Sequence, residues 1–365
     1  MRDFRWRKYL FIFFLCLVMT MASVGLPGIS SASGKTVKLK VVTYLTPGYG
    51  DGFYAGVRMA DYINLYGKKC NLSAELYHSQ TVYKAKEMLP ALISGSIDIG
   101  IFMAPYVEGT MPVFSATDLP FIWGDGYTQR EGSRKGSPFF KLVSVQCEKK
   151  NLKLLAMASS CPEEFIARKP LTKLEDFKGL KVRVAGAGYS KALQSIGAVP
   201  ISMPSSEVYT SLQRGVVDAA MGVDITFRAR KLYEVAKYQI NLGGFLFDWP
   251  VIMNKGSFDR LSEEQKKVVW NAAEFYRHDF STAESLGSGY LNMRNILKNN
   301  YGVKQIYLLE SEKARMKKAM WGPTVKWWEK RVGPELADKV LKAIEESKNW
   351  RKSKFGYLEL YPLKY

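Results

Sequence analysis

The sequence is poor in the residues that metal and redox chemistry require. Among 365 residues there are two histidines, His78 and His278, and four cysteines. Zinc sites draw four such ligands from closely spaced pairs, and this chain offers no such spacing, so neither a metal nor a cofactor is expected. Cys16 lies in an apolar run near the start. The other three, Cys70, Cys147 and Cys161, allow at most one disulfide, and their spacing does not select a pair. Walker, G-x-S-x-G and H-E-x-x-H motifs are all missing, and no nucleophile–base pair can be read, so no enzymatic activity is expected. Gly186-Ala187-Gly188 follows a strand, but Lys191 stands where a dinucleotide-binding turn needs a small residue.

Long apolar runs are also missing, with one exception. Tyr9–Leu26 is almost wholly apolar and is preceded by Arg2, Arg5, Arg7 and Lys8. Ser30-Ser31-Ala32 then supplies small residues for cleavage. This is the pattern of a secretory leader over residues 1–32, cut after Ala32, and it places the mature protein in the periplasm. An uncleaved anchor is the alternative. No later stretch approaches the roughly 18 apolar residues of a membrane span.

Acidic residues are outnumbered, 34 to 53 basic, giving a net charge of +19. The leader carries four basic residues and one acidic, so its loss leaves +16. Lysine and arginine are spread along the chain rather than gathered, and no nucleic-acid motif appears, so nucleic acid is not an expected partner. A basic surface can steer anions instead.

What the chain has in plenty is alternation of short strands with helices, the mark of an α/β fold. Val37–Val42, Leu72–Tyr77, Ile97–Phe102 and Leu152–Met157 read as strands. Helical stretches cover Phe53–Tyr66, Val82–Ser94 and Ser137–Asn151. Leu180–Val184 is an alternating strand in which the charge of Arg183 stands between two valines. A helix then stops at Gly197, Ile201–Met203 extends again, and a further helix ends near Gly215. Leu92-Ile93-Ser94-Gly95-Ser96-Ile97-Asp98 echoes Leu212-Gln213-Arg214-Gly215-Val216-Val217-Asp218, which suggests two lobes built from one unit. Ser262-Glu263-Glu264-Gln265 is a capping box. It opens a helical pattern running to about Lys298. Unbroken, that run would span about 55 Å and brace both lobes; otherwise it breaks at Gly287. A strand at Val303–Leu308 and helices at Ser311–Arg331 and Pro334–Asn349 close the chain.

Several of these pieces carry a resemblance. Gly179-Leu180-Lys181-Val182-Arg183-Val184, the run Met203-Pro204-x-x-Glu207-Val208-Tyr209-x-x-Leu212-Gln213-x-Gly215-Val216-Val217-Asp218, and Leu232–Tyr238 resemble the DctP-type solute-binding proteins of TRAP transporters. Gly95–Asp98, Asp118–Phe121 and Leu261–Gln265 are similar to that family too. The resemblance covers about residues 37–300. It implies a two-lobe periplasmic binding protein of type II-like fold, with hinge strands and a long helix bridging the lobes. Lobe I would comprise residues 33–160 plus about 249–288, and lobe II residues 161–248 plus about 289–365. It further implies a monomer that closes on a small molecule and delivers it to the membrane subunits of an ion-gradient-driven TRAP transporter.

In that family the arginine of the G-L-K-x-R-V strand pairs with the ligand's carboxylate, a role that maps onto Arg183. Its planar fork of donors matches two carboxylate oxygens; the alternative is a structural pair with an acid such as Glu207. The chain also departs from the pattern. Gly222 stands where many carboxylate binders have asparagine, and Ser205 where an aromatic is expected. The second arginine of sialic-acid receptors falls near Pro162-Glu163, and their first-lobe glutamate and arginine positions hold Met103 and Tyr106. A sialic-acid or simple C4-dicarboxylate ligand is therefore not expected. Tyr44, Phe102, Tyr106, Phe121, Tyr189 and Trp249 are candidates for a more apolar pocket wall. Asp224 offers a second reading, a cationic or zwitterionic solute; a sensory receptor uncoupled from transport is a third.

Overall fold

The computed structural model describes residues 35–282 and 288–355. The leader and its cleavage point lie outside the described residues. Among the described residues, no helix is long and apolar enough to cross a membrane.

Eleven strands are described: β1 (Val37–Thr43), β2 (Leu72–Tyr77), β3 (Ile99–Ile101), β4 (Leu152–Ser159), β5 (Glu163–Ala167), β6 (Lys181–Val184), β7 (Val199–Ser202), β8 (Ala219–Gly222), β9 (Tyr238–Phe245), β10 (Asp248–Asn254) and β11 (Lys304–Tyr307). They form two sheets, ordered β2-β1-β3-β10-β4 and β7-β6-β8-β5-β9-β11. The five strands of the first match the first five of the second, which adds β11 at its edge. In each, three parallel strands are followed by one antiparallel strand, β10 in the first sheet and β5 in the second. The chain crosses between sheets at β4–β5 and returns at β9–β10, so each antiparallel strand is the far end of a crossover.

The echoed heptapeptides have one structural job in both sheets. Gly95 and Gly215 adopt φ of 77° and 70°, the left-handed conformation that glycine reaches without steric cost. Each lets the chain turn out of a helix into β3 or β8. Asp98 then accepts a hydrogen bond from the Lys40 backbone N–H, and Asp218 from that of Lys181. Lys40 and Lys181 occupy equivalent places on β1 and β6. By the same register, Val42 opposite Gly100 corresponds to Arg183 opposite Ala220.

Helices cover the sheets: α1 (Asp51–Gly67), α2 (Met88–Ser94), α3 (Gly126–Gly132), α4 (Pro138–Glu148), α5 (Ala187–Gln194), α6 (Val208–Gln213), α7 (Asp224–Ala229), α8 (Lys255–Asp259), α9 (Glu263–Ser281), α10 (Ser288–Tyr301), α11 (Glu310–Val332) and α12 (Pro334–Phe355). The helix expected at Val82–Ser94 begins only at Met88. Pro90 has no N–H to bond four residues back, so it fits a first turn and not a helix interior. Ser262 and Gln265 form the expected capping box of α9. That helix packs on α1 and β4, whereas α10 packs on α7, so the run passes from one sheet to the other. Whether it is unbroken depends on residues 283–287, outside those described. The C-terminal stretch, expected to lie with the second lobe, divides: α11 packs on α5, but α12 packs on α3 and α4 beside the first sheet. Its Ser347 hydroxyl accepts from the Phe139 N–H. The reason is the apolar stripe Ala337, Val340 and Ile344, which is buried.

One apolar core runs through both sheets, and a smaller one lies under the second, built on Ile166, Val208, Leu212, Phe227 and Leu297. Among the described residues, Cys70, Cys147 and Cys161 form no disulfide.

Candidate functional site

Strand alternation turns the Arg183 side chain away from the apolar face of Val182 and Val184 and into a cavity of about 30 Å³ between the sheets. Arg183 is 2% exposed. Its Nε donates to the Met203 carbonyl at 2.9 Å, Nη1 to the Met221 carbonyl at 2.8 Å, and Nη2 to the Tyr106 hydroxyl at 3.2 Å. Every hydrogen bond it makes among the described residues therefore goes to a neutral acceptor. Glu207 is exposed and does not meet it. The guanidinium is fixed in orientation while its charge is left unmatched by any ion pair among the described residues.

Both sheets contribute to the cavity. Tyr106, from the turn after β3, accepts from Arg183 and also from the Ser205 N–H at 3.2 Å. Tyr49 places its hydroxyl 3.0 Å from the Ser205 hydroxyl and accepts from Arg230 Nε. Ser205, where an aromatic was expected, thus makes the polar seam between the lobes. Tyr44 stacks on Trp249 with centroids 5.8 Å apart and meets Tyr106 edge-on at 5.4 Å, and Trp249 lies 5.3 Å from Phe280. This aromatic stack forms the apolar wall opposite the arginine. Gly222 ends β8 at the cavity; a Cβ there would lie 3.2 Å from the Phe227 ring.

Of the sequence candidates, Arg183, Tyr44, Met103, Tyr106, Ser205, Gly222 and Trp249 come together around this cavity. Four do not. Phe102 is wholly buried in the core. Phe121 sits at φ 62° and lays its ring on Gly244, where even a Cβ would collide, so it clamps β9. Tyr189 packs edge-on against Phe245. Asp224 is turned away into a buried cluster: its carboxylate accepts from Arg294 Nε at 3.1 Å and from the Gln239 amide. In that cluster Arg294 also meets Glu164 at 3.4 Å, and Glu164 accepts from the Leu242 and Gly243 N–H groups. All four are large or charged residues, on strand ends, a loop or a helix, and sequence alone does not say which face they take.

The cavity also holds residues that are not among those candidates: Tyr49, Ile225, Thr226, Phe247, Phe280 and Glu163. Glu163 is 1% exposed. Burial pushes its carboxyl up to about 7, against the pull of Arg183. Two adjacent acids at the head of an otherwise apolar strand, Glu163-Glu164, were a legible signal of buried charge. Among the described residues, His, Cys, Asp and Glu nowhere gather as a metal-binding group.

The sequence profile described as "Bacterial extracellular solute-binding protein, family 7" (DctP) matches residues 65–330. The C4-dicarboxylate-binding periplasmic protein DctP of Rhodobacter capsulatus is 33% identical over 196 residues, 52% of this chain and 57% of that protein. The chain spans 57–63% of the length of the curated relatives it matches first. A TRAP periplasmic solute-binding protein from Desulfovibrio salexigens with bound orotic acid has the same two-lobe fold. Its TM-score is 0.75 at 21% identity, over 86% of this chain and 99% of that one. The sugar acid binding protein DctPAm of Advenella mimigardefordensis, in complex with galactonate, gives 0.76 at 21% identity, over 86% and 99%.

Proposed function

Because this chain belongs to the family 7 bacterial extracellular solute-binding proteins, we propose that it binds a small carboxylate between two closing lobes and delivers it to the membrane subunits of a TRAP transporter. One observation carries the reading. Arg183 is a buried guanidinium aimed at an interlobe cavity and held only by neutral acceptors. Burying a charge without a counter-charge is costly, and a ligand carboxylate would supply the missing one. Orotic acid and galactonate, bound by the two structural relatives, are both carboxylic acids.

The lobes would divide at the crossovers, with residues up to about 160, about 249–281 and α12 on one side, and 161–248 with α10, β11 and α11 on the other. Hinge motion at β4–β5 and β9–β10 would open the cavity. Tyr106 and Tyr49 would act as latches, since their hydroxyls bridge to Arg183 and Ser205 only when the lobes meet. The leader at residues 1–32 would export the protein to the periplasm. The reading of Asp224 as an amine contact loses its basis, since that carboxylate is spent on Arg294 and Gln239.

A thermal-shift screen of small acids, amines and zwitterions tests the proposal, because a ligand that binds only the native state raises the melting temperature. Stabilisation by carboxylates supports it. Stabilisation by amines lacking a carboxylate, and by no acid, overturns it.

A further inference from the structure

Glu163 lines the same cavity as Arg183, yet the two form no ion pair. Each Arg183 nitrogen donates one hydrogen bond, to Met203, Met221 or Tyr106, and one further N–H remains on each Nη. The Oε2 atom of Glu163 is buried and has no hydrogen-bond partner among the described residues. Glu164, its neighbour, shows what a structural acid in this strand looks like: it accepts two backbone N–H bonds and pairs with Arg294. Glu163 has none of these. A buried carboxyl left unpartnered costs stability, so its place at the cavity calls for a partner that arrives with the ligand.

We propose that Glu163 is a second ligand contact and that the solute is a zwitterion, with its carboxylate on Arg183 and an ammonium group on Glu163. This rests on the carboxylate reading above and narrows it. The charges decide between solutes. A bare carboxylate would bring a second negative charge beside an ionised Glu163, or would require that group to be protonated. An amino acid type of ligand matches both fixed charges and leaves the closed cavity neutral.

Other groups act on Glu163 from the elements around it: Arg183 on β6, Glu164 next in the chain, Asp118 in the turn after Ala116, and Tyr189 on α5. Asp118 is itself pushed well up by burial and by Glu108, Glu163 and Asp248. It does not serve as the cation that Glu163 lacks.

The test uses acids matched in skeleton: propionate, lactate and alanine, then 3-phenylpropionate, phenyllactate and phenylalanine, titrated calorimetrically into the wild type, Glu163→Gln and Arg183→Ala. The expected result is an affinity for the amino member at least about tenfold above the bare and hydroxy acids. Glu163→Gln should erase that preference, and Arg183→Ala should weaken all members alike. Zwitterion binding to the wild type should also tighten by up to about tenfold per pH unit as pH rises towards 7, since Glu163 must ionise; in Glu163→Gln that dependence should vanish. The wild-type preference and pH profile can be read even where the variant folds poorly. Hydroxy or bare acids binding as tightly as their amino partners, through Arg183, would overturn the inference and leave the carboxylate reading standing. Binding that ignores Arg183 would overturn both, and no response to any of the six acids would overturn the zwitterion inference alone.

Discussion

Two buried arginines in the second lobe sit in contrasting company. Arg294, on α10, meets two carboxylates, Asp224 and Glu164, and Asp224 is further tied to Gln239. Arg183, on β6, meets two carbonyls and a hydroxyl. The first assembly is closed: its charges answer one another, and it joins α10, α7 and the second sheet. The second is oriented and forms no ion pair among the described residues, with Glu163 acting on it only across the cavity. On the proposed function, a charge that stabilises the fold finds its counter-ion within the chain, while one that serves a ligand is held by neutral groups.

The largest expected effect that separates the two is on stability. Arg294→Ala strands two buried carboxylates, and breaking a buried pair costs about 3–5 kcal/mol, so its thermal unfolding should fall well below that of Arg183→Ala. Equal losses in a calorimetric scan would erase the distinction. Next is Arg183→Lys. An ammonium cannot form the guanidinium fork, so carboxylate binding should weaken by about tenfold or more; wild-type affinity would mean that charge alone suffices.

A further consequence concerns pH. Burial raises Glu163 to about 7 and Asp248 to about 8, above the ordinary carboxyl values near 4. Between those limits the unfolded chain gives up protons that the folded one keeps. Ligand-free stability should therefore decline as pH rises from about 4 to about 8 and level off beyond. Asp248→Asn should flatten part of that decline in urea titrations; an unchanged slope would remove Asp248 as a source. The smallest effects are expected on binding at the residues that the structure takes out of the cavity. Asp224→Asn and Phe121→Leu should lower the melting temperature yet leave affinity within about twofold of the wild type. A larger loss of affinity would return them to the site.

Much of this was legible in the sequence. Strand and helix alternation, the Ser262 capping box and the paired Gly95–Asp98 and Gly215–Asp218 turns are local signals with local causes, and they located both sheets. Arg183 was legible as a charge set between two valines in a short strand. The cavity wall was harder. Tyr44 and Trp249 face it while Phe102 faces the core, because which side of a strand end points to the cleft depends on crossovers joining residues some 90 positions apart, as in the pairing of β4 with β10. Asp224 was misassigned because its partner, Arg294, lies 70 residues away. The attachment of α12 to α3 and α4 was hidden in the same way.

The central claim is that Arg183 is the carboxylate anchor, and its most direct test is calorimetric titration of Arg183→Ala with whichever carboxylate stabilises the wild type most. The account predicts a loss of about 10²-fold or more in affinity, the equivalent of about 3 kcal/mol, in a protein that still unfolds cooperatively. Near-unchanged affinity in that folded variant would contradict it.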